Sequence, residues 1–473
     1  MDRNREKKDG TRKSGFWNFI DNIEGDKVVW IIVFLLIMIS ILAIFSSTSL
    51  LKEGSKDRMD FITDHIFIVG IGLLLIFGLY NIRKIGIFRI FSQLGFAVSL
   101  LLLLLLNIHV NIPGVIVAER INGAWRTLRI AGLQMHVFEV VKVAMVMYLA
   151  WAMHAYKEDQ EAIRKKKPGR HLKLANRLGG VFAEPFWKRV IYMYGPILLV
   201  CVLTLMGSGS SAVFIGVILI ATLLIGGAPV KEIALAGAAG IAALLLIMGI
   251  YNATDGKVLK KFERVATMTS RLGADYDAER LKTLKPRSRE FYDLLDDIKQ
   301  PYSAKIAVHE GGILGKGSGN STQKYIVSNI YGDYMFSFLV EEYGLVGGII
   351  VILLYVSLLA RGSTIARLCN NEYAKIAVGG LSVLITGQAF MHMFVNVDIG
   401  PMTGQTLPLI SHGSFAFLVF CIAFGVILAI SRMARNRIRE EEEAALPIYD
   451  SGKDDIQVSM DILEHIDSFE EER

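Results

Sequence analysis

Three cysteines in 473 residues leave little scope for covalent cross-linking. Cys201 and Cys421 fall inside apolar runs and Cys369 sits in a short polar link, so neither a disulfide framework nor a zinc cage can be built from them. Charge is scarce as well: Asp, Glu, Lys and Arg make up 20% of the chain, and long stretches contain none. A soluble domain is thereby excluded, because its core helices would keep a polar face. No repeat of fixed period is visible, which excludes a solenoid. Two signatures are approached without being completed in HEGGILGKGSGNSTQKY, His309 to Tyr325. Gly317 follows Lys316 where a phosphate loop requires Ser or Thr, and Ile313 stands where a zinc-protease HExxH requires its second His.

What the chain does have is apolar sequence in blocks, 53% of its residues. Runs such as VVWIIVFLLIMISILAIF approach the ~20 residues a helix needs to cross ~30 Å of hydrocarbon. Ten candidate spans follow: 28 to 47, 64 to 82, 86 to 108, 136 to 155, 190 to 207, 211 to 227, 232 to 251, 334 to 360, 374 to 395 and 413 to 431. The expected fold is an all-α polytopic membrane protein of about ten transmembrane helices. Its net charge of +6 sits mainly between apolar runs, where it fixes topology against membrane lipids and gives no case for nucleic acid. Lys and Arg are enriched in alternate links, which places both termini in the cytoplasm and the first span as a retained anchor. The expected organisation is a basic cytoplasmic tail (1–27), seven spans (28–251), one large extracytoplasmic loop (252–332), three spans (333–431) and an acidic cytoplasmic tail (432–473). That last tail has no apolar run long enough to pack, so it is expected to be disordered or a docking strip.

Several polar groups stand out against this apolar background. Asp333 opens the eighth span; it is either a helix cap or a used carboxylate, since a charge at that depth is expensive. Glu341, eight residues on and adjacent to Glu342, falls close to the same helical face as Asp333. Glu139 and Lys142 are three apart in the fourth span and can meet, as a structural ion pair or as functional charge and as candidate partners for the later carboxylates. Arg126 and Arg129 precede that span and either snorkel at the interface or bind diphosphate. The Gly-rich segment with Lys316, Gln323 and Lys324 suits an anionic or sugar-bearing ligand, or only connects two spans. Between the ninth and tenth spans, NVDIGPMTGQTLPLISHGS breaks the helix pattern at membrane depth and predicts a cavity lined by Thr403, Ser411 and His412.

Taken in order, these segments resemble the SEDS family (shape, elongation, division and sporulation) over roughly residues 28 to 435. GGILGKGSGNSTQK, then Asp333, a hydrophobic stretch and EEYGLVGG resemble the division form of the family pattern, with the elongation form second. TGQTLPLISHGS is similar to the family's Thr-Gly-x-x-Leu-Pro-x-Ile-Ser-Tyr-Gly-Gly-Ser, with His412, Ser414 and Phe415 as departures. His136, Val137 and Phe138 replace the Gln-Pro-x before Glu139, Thr127 stands where Trp commonly follows the family Arg, and GSGSSA (Gly207 to Ala212) replaces a Pro-Asp-Leu-Gly-Thr element. The resemblance implies a peptidoglycan glycosyltransferase that polymerises lipid II at the outer face of the cytoplasmic membrane. It further implies a class B penicillin-binding protein and division-machinery proteins as partners, and Asp333 as the essential aspartate. Cations for the diphosphate would come from Arg126, Arg129, Lys324 or a bound divalent cation. A lipid II flippase is the rival, although the polar segments gather at one side of the membrane, where a flippase would expose charge to both.

Overall fold

A computed structural model describes residues 24–48, 58–121, 124–166, 172, 176, 180–253, 280–286, 288–327, 330–400 and 403–445. The expectations placed on the basic amino-terminal tail, on residues 254–279 of the long connection and on the acidic tail beyond residue 445 lie outside these.

Each of the ten expected spans is a helix: α1 (Lys27–Ser47), α2 (Arg58–Tyr80), α3 (Ile85–Asn107), α4 (Val137–Arg164), α5 (Pro185–Gly207), α6 (Gly209–Ile225), α7 (Val230–Ala253), α9 (Met335–Leu368), α10 (Glu372–Asn396) and α11 (Ser414–Ala445). Among the described residues nine are long and apolar enough to cross a membrane, and α6 is a shorter apolar helix. The first, α1, starts where Asp26 accepts hydrogen bonds from the amides of Val28 and Val29 at 3.0 and 3.2 Å, a side-chain cap that its acid suits. The apolar window of α4 is 94% buried and that of α7 is 6% buried, so α4 runs through the centre and α7 faces lipid. With α10 beside it, α4 forms the buried heart of the bundle. Residues 435–445, the charged end of α11, carry an internal Arg437–Glu441 pair at 3.1 Å.

Two elements add to the helical frame. Residues 111–136 form an antiparallel meander of four strands, β1 (Asn111–Ile112), β2 (Ile116–Ile121), β3 (Ala124–Ile130) and β4 (Leu133–His136). The sequence reading did not find it, although Asn122-Gly123 between two β-branched runs is a hairpin signal. The β3–β4 turn holds Ala131 and Gly132 at φ of 48° and 86°, the left-handed pair that a type I′ hairpin requires. In the long connection, α8 (Arg289–Gly311) is capped by Ser288, whose hydroxyl accepts the Phe291 amide at 3.1 Å, and it packs along the start of α9.

Consecutive spans alternate in direction. One end of the bundle therefore carries the last turns of α1, α3, α5 and α10, the first turns of α4, α6, α9 and α11, and the sheet. The polar residues singled out from sequence gather at that end.

Candidate functional site

Asp333 lies half-buried in the turn before α9 and is not its cap. The capping residue is Tyr334, whose side chain caps no amide of the helix, and two orphan amides of the first turn are satisfied from α10. Phe336 N donates to His392 Nε2 at 3.3 Å, and Ser337 N donates to Asn396 Oδ1 at 2.9 Å. Three successive carbonyls around Asp333 are also held. His412 N donates to Tyr331 O at 2.8 Å, Ser411 Oγ to Gly332 O at 2.8 Å and Asn396 Nδ2 to Asp333 O at 3.0 Å. The backbone of this turn is thus clamped by α10 and by the segment between α10 and α11.

Glu139 and Lys142 pair as their spacing predicts, with Lys142 Nζ donating to Glu139 Oε1 at 2.7 Å. The ammonium has three protons, and the other two go to Gln388 Oε1 at 2.5 Å and Gln405 Oε1 at 2.8 Å. Gln405 reaches further, donating from Nε2 to Ser211 Oγ at 3.2 Å and accepting at its carbonyl from His392 Nδ1 at 2.7 Å. One buried network therefore joins α4, α6, α10 and the 403–413 segment. The expected link from this pair to Glu341 and Glu342 is not made, because those carboxylates have partners of their own.

Arg126 and Arg129 separate. In the β2–β3 ladder Arg120 pairs with Trp125 and Glu119 with Thr127, which makes Arg126 the extra residue of a bulge. A bulge re-aims its side chain, and the Arg126 guanidinium ends beside Gly404, 3.9 Å from where a Cβ would stand there. Arg129 stays on the ladder, exposed, paired with Glu119 at 2.9 Å. Thr403 is buried, and its hydroxyl makes no hydrogen bond among the described residues; the same is true of Glu139 Oε2.

The broken backbone after α10 is satisfied largely by protein rather than by an open cavity. Tyr355 Oη donates to Pro408 O at 2.5 Å, Ser40 Oγ to Ile410 O at 2.9 Å, and Leu407 N to Ser411 Oγ at 2.9 Å. The Ser411 hydroxyl is accordingly spent on the chain itself. The His412 ring packs against two aromatic rings, its centroid 4.2 Å from that of Phe61 and 5.7 Å from that of Tyr331.

Lys316, Gln323, Lys324 and Glu341 form a second cluster, about 9 Å of helix rise beyond Met335. Glu341 and Asp333 do not share a helical face, because Asp333 precedes the helix. Here α9 is interrupted at Gly344, with φ 70° and ψ −173°, a conformation open essentially to glycine. The interruption exposes backbone that the Gly-rich segment fills: Lys316 N donates to Glu341 O and Gly317 N to Glu342 O, both at 2.9 Å, and Leu345 N donates to Gly312 O at 2.9 Å. The approach is so close that a Cβ on Gly315 would lie 2.2 Å from Glu342 O. The carboxylates complete the splice. Glu341 accepts from Lys316 Nζ at 2.8 Å, Ser321 Oγ at 2.5 Å and Thr322 N at 2.8 Å, while Lys316 also pairs with Glu310. Glu342 accepts from Ser46 Oγ at 2.6 Å, with Lys324 Nζ at 4.0 Å and that ammonium donating to Gly319 O at 2.6 Å. Gln323 is buried with its amide 3.4 Å from Glu341. These donors, expected from sequence to await an anionic ligand, are engaged by the chain's own carboxylates.

Gly344→Ala is expected to loosen this splice, since an added Cβ would meet Ile313 O at 2.2 Å. The strained φ alone costs ~1–3 kcal/mol. Amide exchange at Lys316, Gly317 and Leu345 should quicken; unchanged protection there would mean that α9 absorbs the methyl.

Four side chains that hold the site went unremarked in the sequence: Gln388, His392, Asn396 and Gln405. Gln388, His392 and Asn396 are spaced four and four in LITGQAFMHMFVN, a polar stripe on one face of an apolar span, and that signal was available. Among the described residues no group of three His, Cys, Asp or Glu side chains is placed to hold a metal ion.

Nine long apolar helices and one shorter one among the described residues, packed around a buried polar network, define a multi-pass membrane protein whose candidate site residues converge at one end of the bundle. Residues 26–436 match the family model of the FtsW, RodA and SpoVE cell cycle proteins, and the chain belongs to that family. It is 26% identical to stage V sporulation protein E of Bacillus subtilis, over 87% of this chain and 98% of that one. It is 30% identical to the probable peptidoglycan glycosyltransferase FtsW of Methylomonas methanica, over 71% of this chain and 74% of that one. Its fold matches a chain solved under the heading of polymerization and crosslinking by a peptidoglycan synthase complex, with a TM-score of 0.58, 20% identity and coverage of 87% and 98%.

Proposed function

We propose that this protein is a peptidoglycan glycosyltransferase that polymerises lipid II during cell division, with Asp333 as general base. One observation carries the assignment of Asp333: the turn that bears it is gripped at three carbonyls, and amides a capping carboxylate would take are filled by His392 and Asn396. A held turn whose carboxylate is not its helix's cap is what a positioned base needs. The names of the relatives point to the same reaction.

The 4-hydroxyl of one lipid-linked disaccharide attacks the anomeric carbon of the other. The new glycosidic C–O bond forms as the bond to undecaprenyl diphosphate breaks, and the hydroxyl proton passes to Asp333, which must lie within ~3 Å directly or through one water. Single displacement inverts the anomeric centre. Charge developing on the departing diphosphate requires a cation. Arg126, turned towards the 403–413 segment by the β2–β3 bulge, is placed to supply it there, while Arg129, Lys316 and Lys324 stand in ion pairs with Glu119, Glu341 and Glu342; a bound divalent cation would supply the same charge. Glu139 Oε2 and Thr403 Oγ1 are spare buried groups for the sugar hydroxyls.

The site end of the bundle faces outwards and both termini face the cytoplasm of a bacterial inner membrane, with a class B penicillin-binding protein and other division proteins as partners. Purified protein given lipid II, with and without that partner, should yield glycan polymer. Lipid translocation in liposomes without polymer would instead make it a flippase, and stimulation only by an elongation-type partner would move it from division to elongation.

A further inference from the structure

Resting on the assignment of Asp333 as base, we infer that His392 and Asn396 are positioning residues for it. They stand one turn apart on α10, are 1% and 0% exposed, and perform from a neighbouring helix what a cap residue normally performs from its own. Two bonds fix the protonation pattern of His392: Nε2 accepts the Phe336 amide, so Nδ1 carries the proton and donates it to Gln405 O at 2.7 Å. Asn396 uses both ends of its amide, accepting from Ser337 N and donating to the carbonyl of Asp333 itself and to His392 O. Gln405 then ties the pair to Lys142. The chain Lys142, Gln405, His392, Phe336 amide leads from the buried ion pair to the first turn of α9, and Asn396 holds the Asp333 carbonyl, so the backbone that carries Asp333 is fixed by groups that need not touch substrate.

His392→Phe fills a similar volume while removing both hydrogen bonds. In the full chain with lipid II and its transpeptidase partner it should lower kcat ~10- to 100-fold, the scale of a displacement of about 1 Å, with KM within about twofold of wild type. His392→Gln keeps an acceptor for the amide and should recover most of kcat. The fall in kcat at unchanged KM, and its recovery in His392→Gln, are readouts that a general defect of folding would not produce. Should His392→Phe not accumulate, Asn396→Leu is read by the same criteria. Wild-type kcat in these variants, or a raised KM at unchanged kcat, overturns the positioning role alone. Polymerisation surviving in Asp333→Asn overturns the base assignment as well.

Discussion

Asp333→Asn is expected to abolish glycan polymerisation, lowering turnover by at least the ~10²–10⁴-fold typical of a lost general base, while the protein still inserts and binds its partner. The amide is nearly isosteric with the carboxylate but cannot accept the hydroxyl proton. Folding should be little affected, because the turn is held in any case through the carbonyl oxygens of Tyr331, Gly332 and Asp333 and through the amides of Phe336 and Ser337. Had the side chain been the cap of α9, asparagine would serve nearly as well, since Asn and Asp are comparable at that position. The substitution therefore separates the two roles: an active, stable Asp333→Asn variant would return Asp333 to structure, and an inactive, stable one leaves proton transfer as its work.

The second large effect lies in the buried ion pair. Lys142→Met should cost ~3–5 kcal/mol of stability, because it leaves the Glu139 carboxylate uncompensated in the bundle. It also strands the amide oxygens of Gln388 and Gln405, which share that ammonium. Glu139→Gln should cost a comparable amount by removing the only charge opposite Lys142 among its hydrogen-bond partners. The double variant, Glu139→Gln with Lys142→Met, should be better folded than either single one, since no unpaired charge remains. Thermal unfolding in detergent reads the coupling, and strictly additive losses would show that the two side chains do not act as a pair.

The sequence was most legible where the physics is local. Hydrocarbon thickness and helical rise fix the length of a span, so ten apolar runs could be counted, and among the described residues nine long apolar helices and one shorter one stand on them. Glu139 and Lys142 could be paired because i and i+3 meet on any helix. The meander escaped because its strands are short and mixed in polarity, and with it went the geometry that separates Arg126 from Arg129: two residues that look equivalent in NGAWRTLRIAG differ only by a one-residue bulge. Lys316 and Lys324 looked available to a diphosphate because nothing in their own segment neutralises them, apart from Glu310.

What the sequence determined by itself is the set of membrane-crossing helices and the one helical ion pair, since both depend on spacings within a single element. What only the tertiary structure decided is the use of each polar group. Glu341 and Glu342 bind the Gly-rich segment because Gly344 opens α9 at that point, and Asp333 is relieved of capping because α10 brings His392 and Asn396 against the first turn. A buried donor or acceptor must find a partner, but in a bundle of ten spans that partner commonly comes from another helix, and no spacing along the chain records which one.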